Sequence, residues 1–409
     1  MRRESGLGLG RLAGSVLAFA VIAMLLPAIA SAKAGDMLIA DEDAGPGNSG
    51  AILRLDPATG ATTTVAQGAP LENPSGLTMG PDGKIYVVDY STGPGDTGDL
   101  FRVDPSTGTV TSLLHGAPFV DPFDIATGPD GQLYVVDATA GPSSTGSVFR
   151  INPATGALTT VSEGAPFDDP IGIGLAIDGT ILIADQLNTA TIFRVDPASG
   201  GRTVASTASE LQNPYSFARA PDGTFYVPDS TAGGNGSLFH FNPFTSSLTT
   251  VAQGPPFLDS TGAAVGEDGQ VYVADIDANG VFRVDPATGL RTTVAVGSPF
   301  TFAERIIAEP PTCHGRIATI VGTAGKDTIA GSNFGEVIAS LGGKDNVNAG
   351  GGGDLVCGGG GKDTLKGGSG KDRLYGEGGT DRLIGGGGKD SCVGGKSKDT
   401  GKSCEKGKI

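Results

Sequence analysis

Two repeats of different period predict an all-β chain, a six-bladed β-propeller followed by a stack of nonapeptide turns. The first repeat closes on Asp41, Asp89, Asp137, Asp185, Asp229 and Asp275, spaced 48, 48, 48, 44 and 46 residues apart. The second places an acid every nine residues from Asp327 to Asp399. Composition agrees: 69 glycines, no tryptophan and 6% aromatic residues suit short strands and turns rather than helices.

Residues 1–32 read as an export signal. Arg2, Arg3 and Arg11 flank an apolar run from Leu17 to Ile29 broken by Pro27, and Ala30-Ser31-Ala32 satisfies the small-residue cleavage rule. The run is short for a membrane helix, and no later segment is apolar enough to span a bilayer. The mature chain is expected to begin at Lys33, to be secreted and to be extracellular, with no membrane span.

Residues 33–308 carry the long repeat. Asp-Gly-Lys-Ile-Tyr-Val-Val-Asp at 82–89 recurs at 130–137, 178–185, 222–229 and 268–275. After each closing acid comes a second element of the type Leu100 to Pro105, then a Thr- and Val-rich strand and a Pro-containing loop. Short alternating pieces bounded by Gly, Pro, Asp and Asn are strands joined by hairpins. The first unit lacks an inner strand and Phe302 to Ala308 supplies one, so the two ends complete a sixth blade and leave no free sheet edge. The once-per-blade acids are expected to fix the loop after their strand. Asp275-Ile276-Asp277-Ala278-Asn279-Gly280 has the front half of an EF-hand loop, but Pro286 stands where the twelfth-position acid belongs.

These repeats resemble the six-bladed NHL, gluconolactonase and streptogramin-lyase-like propellers. The resemblance implies a fold, not a reaction. Catalytic relatives hold a metal or a His/Glu pair at the channel mouth, whereas this chain has three histidines, His115, His240 and His314. His115 and His240 fall at structural positions and His314 in the linker. From Lys33 to Gly315 there are 11 basic and 32 acidic residues, which argues against a nucleic-acid partner.

A Pro-rich linker spans 309–322. Four cysteines in an exported chain point to disulfides, and of three possible pairings Cys313 with Cys357 and Cys392 with Cys404 would clamp the two ends of the second repeat. The spacings lack the C-x₂-C element of a zinc site.

Residues 323–404 hold the nonapeptides, with a tail at 405–409. The acids are Asp327, Glu336, Asp345, Asp354, Asp363, Asp372, Asp381, Asp390 and Asp399. Two residues later comes an apolar series: Ile329, Ile338, Val347, Val356, Leu365, Leu374, Leu383 and Cys392. Gly-rich tetrapeptides permit turns and leave carbonyls uncovered, the x-apolar-x triplet is a minimal strand, and stability must come from stacking. A carboxylate beside exposed carbonyls at every turn is a ladder of hard oxygen ligands suited to Ca²⁺. The array resembles the RTX (haemolysin-type) nonapeptide repeat, which implies a parallel β-roll with calcium in its turns. In that family acids eighteen apart share an edge. The metal ligands implied are Asp327, Asp345, Asp354, Asp363, Asp372, Asp381 and Asp390, with the Glu336 and Asp399 units as caps. Lysine precedes six of the acids, and from Arg316 onward 14 basic residues face 11 acidic ones. That balance predicts weak, millimolar calcium binding.

The expected function is that of a secreted calcium-binding protein whose propeller is a non-catalytic recognition platform for an extracellular or cell-surface ligand. The alternative is an extracellular hydrolase, lactonase or lyase that uses the roll for stability. Convergent carboxylates or amides at one propeller mouth would favour the enzyme.

Overall fold

The computed structural model describes residues 35–93, 97–186 and 189–408; the export signal expected at 1–32 lies outside them. Among the described residues, six four-stranded antiparallel sheets form the blades of a propeller. Their inner strands are Pro74–Met79, Pro122–Thr127, Pro170–Leu175, Ala218–Arg219, Ser260–Val265 and Ala303–Ala308. The last of these pairs with Met37–Asp41 from the other end of the chain, closing the ring as the incomplete first unit predicts. Apolar side chains such as Phe119 against Phe149 and Phe257 against Phe282 fill the space between blades in edge-to-face contacts.

The invariable acid of each blade has a wider role than the expected one. Asp89 accepts N–H bonds from Glu72 and Asn73, both at 2.9 Å, in the loop that enters its own blade, and a further one from Ser91 in the turn that follows. Asp137, Asp185, Asp229 and Asp275 repeat the contact to the preceding loop. At the ring closure Asp41 takes the N–H groups of Thr301 and Phe302 at 3.0 Å and the Thr301 hydroxyl at 2.8 Å, across 260 residues. Asp41, Asp89, Asp137, Asp229 and Asp275 also accept from the turn that follows, so these five tie loop to blade on both sides of their strand, while Asp185 holds the preceding loop. Asp275 spends its oxygens on Leu258, Asp259, Ser260 and Ala278, so the EF-hand-like stretch is a structural turn.

Beyond Ala308 the chain does not hang free. Glu309 pairs with buried Arg54 at 2.9 Å, and Thr312–Cys313 forms a small hairpin with Arg316–Ile317. A parallel ladder then runs from Ile320 to Lys408, wider than the nonapeptide phase. Strands eighteen residues apart pair in register, as Ile329 opposite Val347 on one sheet and Ile338 opposite Val356 on the other. Two nonapeptides thus make one coil. The apolar series from Ile329 to Cys392 forms a single buried column, and the disulfides are Cys313–Cys357 and Cys392–Cys404, the preferred pairing.

Stacking at this spacing dictates glycine two residues before the acid. Gly370 has φ 135°, and a Cβ there would strike the carbonyl oxygen of Gly352 in the coil before it. The position becomes Phe334 in the first coil and Ser397 in the last. Phe334 reaches the propeller turn at Gly179 instead of another coil. The roll's first coil is docked under the propeller: Ala324 donates to the Glu267 carbonyl at 2.6 Å, Arg219 to the Thr319 carbonyl at 3.1 Å, and Ile177 packs on the roll's apolar column. No helix among the described residues is long and apolar enough to cross a membrane.

Replacing Asp41 by Ala strips the partners from the ring-closing loop, at about 1–3 kcal/mol for each donor left buried. Asp41→Ala is expected to lower the propeller's calorimetric melting temperature by several degrees. An unchanged melt would contradict the closure role.

Candidate metal-binding roll and propeller channel

The acids of the roll form two rows, one through Asp327, Asp345, Asp363, Asp381 and Asp399, the other through Glu336, Asp354, Asp372 and Asp390. Within a row each acid's backbone N–H donates to the Oδ1 of the acid eighteen residues on: Asp345 to Asp363 at 2.9 Å, Asp354 to Asp372 at 3.0 Å, Asp363 to Asp381 at 2.9 Å. This bond locks the carboxylate over the glycine turn. The second oxygen has no such use. The Oδ2 atoms of Asp345, Asp354, Asp363, Asp372, Asp381, Asp390 and Asp399, and Oε2 of Glu336, are buried and without a hydrogen-bond partner. Oδ2 of Asp372 lies where a Cβ on Gly367 would sit, which is why that position is glycine.

A buried carboxylate oxygen without a donor is costly, and within each row neighbouring carboxylates repel one another. Burial first, then the neighbouring Glu336 and Asp372 carboxylates, pushes Asp354 up to about 7. Burial, with the charges of Asp345 and Asp381, pushes Asp363 up to about 6. The donor set is all hard oxygen, with turn carbonyls alongside, and it fits Ca²⁺. The lysines preceding the acids, Lys326, Lys344, Lys362, Lys371, Lys389 and Lys398, are all exposed. They stand in solvent, away from the buried oxygens.

The row ends differ from the middle. Both oxygens of Asp327 are used by Thr323, its N–H at 2.6 Å and its hydroxyl at 3.1 Å. Asp399, read as a cap, presents an unpartnered oxygen like the central acids. Glu405, which the nine-residue phase does not mark, accepts the Asp390 N–H at 2.6 Å and continues the second row. His314, Cys357 and Glu377 also lie close together, but Cys357 is in a disulfide and His314 stacks on Tyr375, so no thiolate is on offer.

The propeller channel holds a second group of charges, one that repeat-matching passes over. Arg305, 3% exposed, reaches from its own inner strand across the axis to the carbonyls of Ile171 at 3.2 Å and Tyr215 at 3.4 Å, and to Asp124 at 3.5 Å. Asp124 also accepts the N–H of Ile125 at 2.9 Å and of Ile173 at 3.2 Å. Beside them burial pushes Glu304 well up, and it shares a hydrogen bond with Glu42, which is also raised by burial. Tyr90 donates to Glu42 at 3.1 Å. The matching inner-strand positions in other blades are Gly76, Gly172, Ser216 and Gly262. Asp124 and Arg305 are thus departures from the repeat, and departure is the signal that would have found them. His115 bonds Asp99 and His240 bonds Thr224, each at 2.8 Å, as blade structure.

Fold and site together define a propeller joined to a calcium-binding β-roll. Residues 331–365, 357–392 and 366–400 match the RTX calcium-binding nonapeptide repeat. Residues 48–304, more than half of the chain, match the SMP-30/gluconolactonase/LRE-like region; the chain belongs to that family. Among solved structures, a nidogen/laminin complex is similar at 14% identity and TM-score 0.54, over 66% of this chain and 97% of that one. Selenomethionine-substituted virginiamycin B lyase from Staphylococcus aureus matches at 16% identity and TM-score 0.44, over 57% and 73%. No curated protein matches the chain.

The raised carboxyls set opposite pH responses with and without metal. In chelator the folded roll keeps protons that the unfolded chain has released above its ordinary carboxylate range. The apo roll is therefore expected to gain stability as pH falls from 7 toward 4. In calcium the protons compete, and stability should fall over the same window. Thermal melts in calcium and in EDTA at pH 5 and 7 check both signs; parallel trends would contradict the account.

Proposed function

We propose that this is an exported protein whose roll binds calcium through Asp345, Asp354, Asp363, Asp372, Asp381 and Asp390, with Asp327 at the head of one row, and whose propeller is a recognition platform for an extracellular or cell-surface ligand. The observation that carries the metal assignment is the pair of rows of buried carboxylate oxygens without donors. Calcium supplies the positive charge those oxygens lack, and the chain's own part is to hold each carboxylate over its turn through the neighbouring coil's N–H. Extracellular millimolar calcium suits such a module, and paired cysteines suit an oxidising compartment. The recognition role is favoured by a channel whose central cation is already matched by acids. Arg305 is held between Asp124 and Glu304, so the axis is plugged by a structural ion pair.

A second reading has one observation of its own. Glu304 and Glu42 form a buried acid pair beside Tyr90, and environments that raise a carboxyl are used for general acid chemistry. Turnover of a lactone panel that is lost in Glu304→Gln while the melt is retained would favour the enzyme.

Asp372→Ala and Asp381→Ala each remove one bridging carboxylate from a different row. Each is expected to lower calcium stoichiometry in isothermal titration while leaving the propeller melt unchanged. Parent-like titrations of both would show that the ions sit elsewhere.

A further inference from the structure

The channel is divided by Arg305, and its lower half is a chamber. It has a volume of about 320 Å³, between the lower ends of the inner strands and the segment Ile317–Gly322 of the linker and roll. That size is at the small end of the range for ligand pockets. The walls are apolar, with Leu77, Ile125, Leu175, Phe217, Val265 and Ile306 among them, and Ile320 and Glu336 lie on the floor.

One charged group in the chamber is not matched. Arg305 is met by Asp124 and Glu304, and Arg54 holds Glu309. Arg219, in contrast, donates to a single backbone carbonyl, that of Thr319, and no carboxylate lies within ion-pair distance of it among the described residues. It is hemmed in by protein, which pushes its pKa down, with Glu336 the acid that partly offsets this. Yet its side chain retains accessible surface. Arg219 is one of the residues that line the chamber. Among the described residues the other four of its five N–H donors have no protein partner, a geometry made for a carboxylate.

We propose that the chamber binds a small carboxylic acid with an apolar body, its carboxylate on Arg219 and its body among the inner-strand side chains. A single negative charge fits better than a phosphate dianion, because Glu336 and Glu309 line the same space. The proposal rests on the propeller being a recognition module and names the chemistry it recognises. It also gives the docked roll a part to play, since the first coil supplies the floor.

The test is isothermal titration of the whole mature chain with octanoate and, as uncharged comparator, 1-octanol, after calcium uptake has been measured on the same sample. Octanoate is expected to bind one per chain. Arg219→Gln should weaken octanoate about tenfold or more, the worth of a charged hydrogen bond, and leave octanol unchanged. Met79→Trp, which fills the chamber from the propeller wall away from Arg219, should abolish both and keeps the test open if Arg219→Gln fails to fold. No octanoate binding, equal binding by a folded Arg219→Gln, or full binding by Met79→Trp would each overturn the chamber. Calcium uptake without octanoate binding overturns the chamber alone. A propeller that takes another ligand at its upper mouth while ignoring octanoate does the same and leaves the recognition reading standing.

Discussion

The roll rests on a single tension: every coil buries a carboxylate oxygen that the chain itself does not satisfy. One oxygen of each central Asp accepts the N–H of the acid in the preceding coil, and that bond fixes the eighteen-residue register. The other is left facing its neighbours. The apolar column from Ile329 to Cys392 favours stacking, while the carboxylate rows oppose it. A chain built this way has a stability that depends on what cation lies along each row. Glycine at positions such as Gly370 is the steric condition for bringing the coils close enough for that dependence to exist.

The recurring acids of the propeller are met by the chain itself. These once-per-blade Asp residues are also buried, but each is met by two or more backbone N–H groups. The same residue type therefore does opposite things in the two halves: in the blades it closes loops, in the roll it waits for charge. What joins the halves is a floor of roll residues under the channel, stitched by Arg219, Ala324 and Ile177. The first coil is thus part of the wall of the propeller's lower mouth.

Much of this was legible in the sequence because repetition reports geometry directly. The nine-residue phase marks the acids, the family resemblance sets those eighteen apart on one edge, the missing inner strand of the first blade points to the ring closure, and the cysteine positions point to the bridges. The signals that failed were those carried by a single residue. Asp124, Glu304 and Arg305 meet only because blades distant in sequence face a common axis, and repeat-matching treats them as noise. Glu405 falls out of phase because the last turn is shortened to end the stack. In a local window the acids of the blades are turn formers, and their reach back to the preceding loop, sixteen or seventeen residues away, lies outside such a window.

The most direct measurement is anomalous diffraction from crystals grown in calcium. The account predicts peaks in two files along the roll, each beside an Oδ2 atom of Asp345, Asp354, Asp363, Asp372, Asp381 or Asp390, separated by about the 4.8 Å of one parallel coil. Rows empty of anomalous signal, with those oxygens bonded to lysine or water instead, would contradict it.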